Sequence, residues 1–153
     1  MAEITFDERL KSLFSTFGDK QTMVLATSSE GRVTARSMSV IVLDSAFCFQ
    51  TDARMLKAKQ IKENPMVALS FSNVSIEGRA EIIGAPYAPE CKRISEKYRA
   101  AYKGSYDAYS GMPDELLYRV TPLLITLWQY ENGKPYREKY DLRNNDYEKR
   151  WYE

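Results

Sequence analysis

Between positions 22 and 83 the chain repeats a pattern of short apolar segments separated by turn residues, which is typical of consecutive β-strands. The clearest segment is 74–83, where small or apolar residues occupy every second position, as one face of a strand requires. Two further segments, 119–130 and 134–140, are joined by an Asn-Gly turn. The predicted strands are 22–27, 32–43, 46–51, 66–72, 74–83, 119–130 and 134–140.

An open sheet of this many strands would leave two unpaired edges, and closing the sheet on itself removes them. We therefore predict a mainly β fold, a six- to seven-stranded antiparallel barrel with helices at its periphery. One helix is predicted near the N-terminus, where apolar residues recur at helical spacing from Phe6 to Phe17. Thr5 and Glu8 form a capping box at its start, and Gly18 ends it.

A second helix is predicted over 55–63, with Asp52 as its cap and an end before Pro65, because the residue preceding a proline avoids the helical region. A third helix follows Pro89, and 103–113 is predicted to be a loop. We find no linker or repeat, so a single domain over 1–153 is expected. Its parts are an N-terminal helix (1–18), the barrel core with the second helix (22–83), a helical and loop excursion (89–118), the last hairpin (119–141) and a tail (142–153).

The chain contains no histidine, which excludes Ser-His-Asp catalysis, Cys-His catalysis and histidine-ligated zinc. Two distant cysteines, Cys48 and Cys91, are expected to be reduced thiols, and we expect no metal site. The formal net charge is +1, so a generally basic nucleic-acid-binding surface is not indicated. No apolar stretch is long enough to span a membrane and no secretory signal is visible, which predicts a cytoplasmic protein.

Two cationic side chains stand out as candidate ligands for a phosphate group. Arg36 lies in the middle of a predicted strand, and Lys57 lies in the first turns of the predicted second helix, shortly after Thr51. An arginine fork, a lysine point charge and a threonine hydroxyl can converge on one phosphate. The alternative is that both cations project into solvent, as most charged residues do.

An ordered series of short motifs makes the chain recognisable. It resembles the pyridoxamine 5′-phosphate oxidase-like family, most clearly over 22–83 and more loosely over 120–128. That resemblance implies a split β-barrel that binds flavin mononucleotide (FMN) at a homodimer interface. The motifs that carry the resemblance are Met23–Thr27, Gly31, Arg36, Phe49–Asp52, Lys57–Ile61, Asn64–Leu69 and Ile76–Glu81.

The resemblance also implies a role for individual residues. Arg36 and Lys57 would hold the FMN phosphate, while the three residues after the arginine would run along the isoalloxazine ring. Asn73 matches an amide side chain that reaches the flavin from the partner subunit, and Trp128 would approach it from the last strands. The remaining cofactor-binding candidates are Ser37, Met38 and Ser39 along the ring, Gln50 and Thr51 at the strand end, and Arg54 near the phosphate.

The sequence departs from the family pattern at two places, the start of the second helix and the end of the chain. Met55 and Leu56 replace residues that are polar in many members, and Arg54 is the candidate to compensate. The substrate motif of the true pyridoxamine phosphate oxidases contains arginine and histidine and is absent here. We therefore expect membership of the broad family without oxidation of pyridoxine or pyridoxamine phosphate.

The resulting functional hypothesis is an FMN-dependent oxidoreductase that moves hydride or electrons between a nicotinamide or small-molecule donor and a small organic acceptor. The alternative is a non-catalytic barrel that binds flavin, haem or a deazaflavin. No residue is predicted to be a catalytic acid or base.

The aromatic residues of the last twenty positions alternate with basic ones, a pattern that stacking on nucleic-acid bases would also use. Acidic residues in the same stretch nearly balance the basic ones, which favours a tail docked on the barrel or on the partner subunit. Tyr106 and Tyr109 are left open between wall residues of a substrate pocket and simple packing.

Overall fold

The computed structural model describes residues 2–153, and its eight strands form one antiparallel sheet. The first six strands close into a barrel because β3 pairs with both β2 and β6, and the last two strands extend the sheet beyond the closure. This confirms the predicted mainly β barrel. The strands are β1 (Lys20–Ser29), β2 (Arg32–Leu43), β3 (Ala46–Asp52), β4 (Met66–Phe71), β5 (Val74–Gly84), β6 (Glu115–Glu131), β7 (Lys134–Asp141) and β8 (Asp146–Trp151).

Across residues 2–153, four α-helices lie outside the sheet. The N-terminal helix has the predicted capping box between Thr5 and Glu8 and ends at Gly18, whose φ of 73° is one that glycine adopts without strain. Its apolar face packs into the barrel core beside Phe47. The helices are α1 (Phe6–Phe17), α2 (Leu56–Glu63), α3 (Lys92–Ala101), which follows a 3₁₀ turn (Pro89–Cys91), and α4 (Lys103–Tyr109).

Three sequence predictions are corrected by the structure. Asp52 does not cap α2: the capping position is Met55, and the Asp52 carboxylate instead accepts hydrogen bonds from the backbone and guanidinium of Arg54. The segment 103–113 was predicted as a loop, but it contains α4, which buries no residue and so lacks an apolar periodicity. The predicted tail contains β8, whose mostly exposed and largely charged residues give no apolar alternation.

Gly78 marks the closest approach between β5 and β6. A Cβ atom at this position would lie 2.6 Å from Val120 Cγ1 and 2.7 Å from the carbonyl oxygen of Thr121. The register between the two strands shifts at this point, which gives the sheet a local bulge. Closure of the barrel at this corner therefore depends on a residue without a side chain.

Within residues 2–153, no helix combines the length and the apolar character that crossing a membrane would need.

Candidate functional site

Arg36 projects from β2 on the partly buried side of the strand, and its guanidinium contacts neutral oxygen atoms. It donates to the carbonyl of Leu25 at 3.2 Å, to the Thr27 hydroxyl at 2.8 Å and to the Thr34 hydroxyl. Burial lowers the pKa of the guanidinium. The side chain is thus fixed in place while its positive charge is left without a counter-ion.

Lys57 lies in the first turn of α2 and is also partly buried. Its Nζ contacts the thioether sulfur of Met55 at 3.2 Å. Burial, and then the positive charge of Arg36, lower the pKa of Lys57. Arg36 and Lys57, here named the cation pair, make no ion pair within residues 2–153. Glu115 and Asp52 act on Lys57 only at longer range, so two cations that influence each other and are not ion-paired within the described residues form a site suited to an anion.

Gln60 connects the two elements that carry the cation pair. Its Oε1 accepts hydrogen bonds from Thr27 and Thr34, each at 2.6 Å, and these hydroxyls are the ones that hold Arg36. Its Nε2 donates to the backbone of β2 at 3.2 Å. These hydrogen bonds fix α2 against β1 and β2. Gln60 lies one helical turn after Lys57, so the same bonds hold the start of the helix in place. The sequence offered one signal for this role, a polar residue on the buried face of α2 beside Ile61.

A cavity of about 260 Å³ opens beside Lys57. Most of the predicted cofactor residues line it, namely Ser37, Met38, Ser39, Gln50, Thr51 and Lys57. The structure therefore brings these candidate residues of β2, the end of β3 and the start of α2 to one cavity, and their role as cofactor ligands stays a prediction. Arg36 is not part of the lining but acts on it through its charge on Lys57.

The polar groups at the end of β3 are already engaged within the chain. Gln50 is buried, its Nε2 donates to a carboxylate oxygen of Glu115 at 3.0 Å, and its Oε1 accepts from Ser110 at 3.2 Å. The Thr51 hydroxyl points to the sulfur of Met55 at 3.7 Å. These contacts orient the cavity wall.

Arg54 does not line the cavity. Its exposed guanidinium pairs with Asp52 at 2.8 Å and with Asp114 at 3.4 Å. The hydrogen bond from Arg54 lowers the pKa of Asp52 to about 2, so this carboxylate is ionised in neutral solution. Arg54 is thus neutralised by acidic neighbours in this structure, and it does not add to the cation pair.

Asn73 and Trp128 lie together, but they are not among the cavity-lining residues of the chain. The Asn73 side-chain amide donates to the carbonyl of Trp128 at 2.7 Å, and the Trp128 backbone donates to the carbonyl of Asn73 at 3.1 Å. The indole of Trp128 packs edge-on against Tyr130 and Tyr152, with ring centroids 6.2 and 5.8 Å away. The predicted site residues therefore form two separate groups.

The far wall of the cavity comes from the excursion between β5 and β6 and from the start of β6. Of the two tyrosines left open by the sequence, Tyr109 lines the cavity, whereas Tyr106 packs against Tyr87 and is not among the lining residues. The remaining lining residues are Asp52, Met55, Tyr98, Ser105, Met112 and Glu115.

The family model described as pyridoxamine 5′-phosphate oxidase matches residues 6–129, which is most of the chain. The chain belongs to this family. No curated protein matches it.

Several solved structures share the fold of this pyridoxamine 5′-phosphate oxidase family member. PhzG from Burkholderia lata, in complex with tetrahydrophenazine-1-carboxylic acid, is 15% identical with a TM-score of 0.62, and the match covers 95% of this chain and 89% of PhzG. A pyridoxamine 5′-phosphate oxidase-related, FMN-binding protein from Nostoc punctiforme is 16% identical with a TM-score of 0.61 (97% and 93% covered). HutZ, the haem storage protein of Vibrio cholerae, is 14% identical with a TM-score of 0.60 (77% and 90% covered).

Proposed function

We propose that this protein binds FMN and that the cation pair holds the phosphate. The observation that carries the proposal is the pair itself, two partly buried cations that make no ion pair within residues 2–153. Holding like charges together without an anion costs free energy, and a bound phosphate dianion offsets that cost. The fork of Arg36 supplies directional donors, and the ammonium of Lys57 supplies a compact charge.

The wall next to the cation pair suits the remainder of a flavin. Ser37 and Ser39 point to one side of β2 and Met38 to the other, where it packs against the barrel core, so the two serines supply hydroxyl groups to the wall. Thr51 continues this wall from the end of β3. We assign these residues to the orientation of the flavin, with the phosphate at the α2 end.

We further propose that the cofactor sites lie at the interface of a homodimer. The cavity of one chain, about 260 Å³, is smaller than the roughly 300–1,000 Å³ of typical ligand pockets, so a single chain supplies part of a site. Val24, Val33 and Met66 are exposed on one outer face of the sheet. The strand register puts Ser37, a cavity residue, opposite Val24 on that same face. An apolar surface that runs into the cavity supports an interface there.

When bound, FMN would supply the redox chemistry, because its ring accepts and donates hydride or electrons. The protein's residues would bind and orient it, with the cation pair at the phosphate and β2 along the ring. We propose a nicotinamide or a small reduced molecule as the donor and a small organic molecule as the acceptor.

The visible absorption spectrum of the purified protein tests the proposal, recorded before FMN addition and again after FMN addition and desalting. A retained flavin spectrum is expected for the natural chain and its loss for the double variant Arg36→Ala with Lys57→Ala. Equal retention by the variant and the natural chain would refute the phosphate site. Oxidation of NADH or NADPH by the FMN-loaded protein, with an added electron acceptor, would support the oxidoreductase.

A second candidate function is ligand binding without catalysis, with flavin, haem or a deazaflavin as the ligand. One feature of the cavity favours it: the thioether of Met55 occupies the space between Lys57 and Thr51, where a polar side chain would add a phosphate contact. Flavin retained without turnover over a panel of donors and acceptors would support this candidate. Failure to load FMN, with uptake of haem or deazaflavin, would identify another ligand.

A further inference from the structure

Glu115 is a buried acidic residue that the proposed phosphate site does not use. It is the first residue of β6, lies opposite Asp52 on β3 and is only 6% exposed, yet it lines the cavity. Burial raises the pKa of its carboxyl group. A carboxyl group in such a place costs stability, so its environment shows what compensates the cost.

The two carboxylate oxygens of Glu115 differ in their surroundings. Oε2 accepts a hydrogen bond from Gln50 Nε2 at 3.0 Å, and the Ser110 hydroxyl fixes the orientation of that amide by donating to its oxygen. Oε1 accepts no hydrogen bond from residues 2–153. Among these residues, every side-chain oxygen or nitrogen that lacks a hydrogen-bond partner has some access to solvent. Oε1 is therefore reachable from open space, and the open space that Glu115 lines is the cavity.

No other charged group nearby neutralises Glu115 within the described part of the chain. Asp52, across the strand pair, is itself an acid and is engaged by Arg54. Lys57 is close enough to influence the carboxyl group but forms no ion pair with it among residues 2–153. Once a phosphate occupies the cation pair, the charge of Lys57 is directed to that phosphate. Glu115 then lacks a counter-charge.

Part of the cavity wall is aromatic and apolar. Tyr109 from α4 and Met112 after it are exposed and line the cavity, whereas Tyr98 from α3 is 2% exposed and belongs to the packed core. Such a wall suits a flat ligand, since aromatic rings and a thioether make favourable contacts with a planar π-system.

We propose that Glu115 and the wall formed by Tyr109 and Met112 are the subsite for a planar substrate that carries an N–H donor, preferably a cationic amine or amidine. Glu115 Oε1 accepts the hydrogen bond, while the Tyr109 ring and the Met112 thioether contact the flat face. This rests on the proposed function, in which the cofactor phosphate occupies the cation pair. It narrows the substrate class to basic planar molecules.

The test compares two small probes of the same shape and opposite charge, benzamidine and benzoate. Their binding is measured by ligand-observed NMR on protein loaded with FMN or, if FMN does not load, saturated with inorganic phosphate, so that the cation pair is occupied. A charge-assisted hydrogen bond contributes about 1.5–3 kcal/mol, and about 1.4 kcal/mol corresponds to tenfold in affinity. We expect benzamidine to bind about tenfold or more tightly than benzoate.

Glu115→Gln removes the charge and keeps the shape of the side chain. It should weaken the binding of benzamidine about tenfold, while the affinity for FMN stays within about twofold. The matched control is Glu96→Gln, which removes one exposed acidic charge from α3 and should leave the affinity for both ligands unchanged. If Glu115→Gln fails to fold, the preference of the natural chain for benzamidine over benzoate decides alone.

Three results would overturn the proposal. The first is an affinity for benzoate equal to that for benzamidine. The second is benzamidine binding that Glu115→Gln leaves unchanged. The third is a loss of FMN affinity in Glu115→Gln as large as the loss of benzamidine affinity. The last result would assign Glu115 to the cofactor. Each of them leaves the phosphate site standing, because FMN loading is measured separately from the probes.

Discussion

Removal of the Lys57 ammonium should weaken FMN binding and leave riboflavin binding unchanged. Lys57 forms no ion pair within residues 2–153, so Lys57→Ala removes a ligand contact and its charge, and the nearby buried acid, Glu115, keeps its hydrogen bond from Gln50. Riboflavin has the same ring and ribityl chain as FMN but lacks the phosphate. The difference between the two ligands therefore reports the phosphate site alone.

The magnitude follows from the contact that is lost. A hydrogen bond to a charged group contributes about 1.5–3 kcal/mol, which corresponds to about 10- to 100-fold in the dissociation constant. Arg36 stays in place, since its guanidinium is held by Leu25, Thr27 and Thr34 rather than by Lys57. The loss should accordingly be partial, and Arg36→Ala added to Lys57→Ala should lower the affinity further.

The assay is a titration of the apo-protein with FMN or riboflavin, followed by the quenching of flavin fluorescence. Lys59→Ala is the matched control, because it removes an exposed lysine from the same helix and changes the net charge equally. We expect Lys59→Ala to behave like the natural protein. The reasoning is refuted if both variants lose FMN affinity equally, which would show a diffuse charge effect, or if riboflavin weakens as much as FMN.

Three further predictions concern stability and positioning. Gln60→Ala should weaken the binding of FMN but not of riboflavin, because the Gln60 side chain joins α2 to the threonines that hold Arg36. It should also lower the free energy of unfolding by about 1–3 kcal/mol. Paired ligand titrations measure the first effect and urea melts the second. Gly78→Ala should lower the unfolding free energy by about 1–3 kcal/mol in a urea melt, because its Cβ meets β6 backbone. Burial raises the pKa of Glu115, so the stabilising contribution of its protonated form is complete below the unfolded-state pKa and is lost as the pH rises through the folded-state pKa. In urea melts at several pH values, the free energy of unfolding of Glu115→Gln should therefore exceed that of the natural chain at neutral pH. The difference should disappear in acid.

The features predicted correctly from sequence are those written in local patterns. The capping box of Thr5 and Glu8 sets the start of α1, and period-two alternation sets β5. The antiparallel barrel follows because strands arranged in succession must remove their edges. Family resemblance predicts that Ser37, Met38 and Ser39 run along the flavin ring; the structure places all three at one cavity, and their role there stays a prediction.

The features that sequence missed depend on contacts between distant segments. Gln60 meets Thr27 and Thr34 only after α2 folds onto β1 and β2, and no spacing within the helix encodes that contact. Glu115 lies 65 positions from Gln50, its hydrogen-bond partner. β8 lacks an apolar alternation because neither of its faces is buried, and it is defined by its pairing with β7.

The separation of Asn73 and Trp128 from the cavity constrains how a flavin site could be completed. In one chain the cation pair and the cavity lie on β2 and α2, whereas Asn73 and Trp128 meet at the β4–β5 turn and on β6. If both groups serve one cofactor, they belong to different copies. A twofold axis makes the exchange reciprocal, so each dimer would hold two identical sites. Cofactor affinity and dimerisation would then be linked, and flavin would stabilise the assembly that creates its own site.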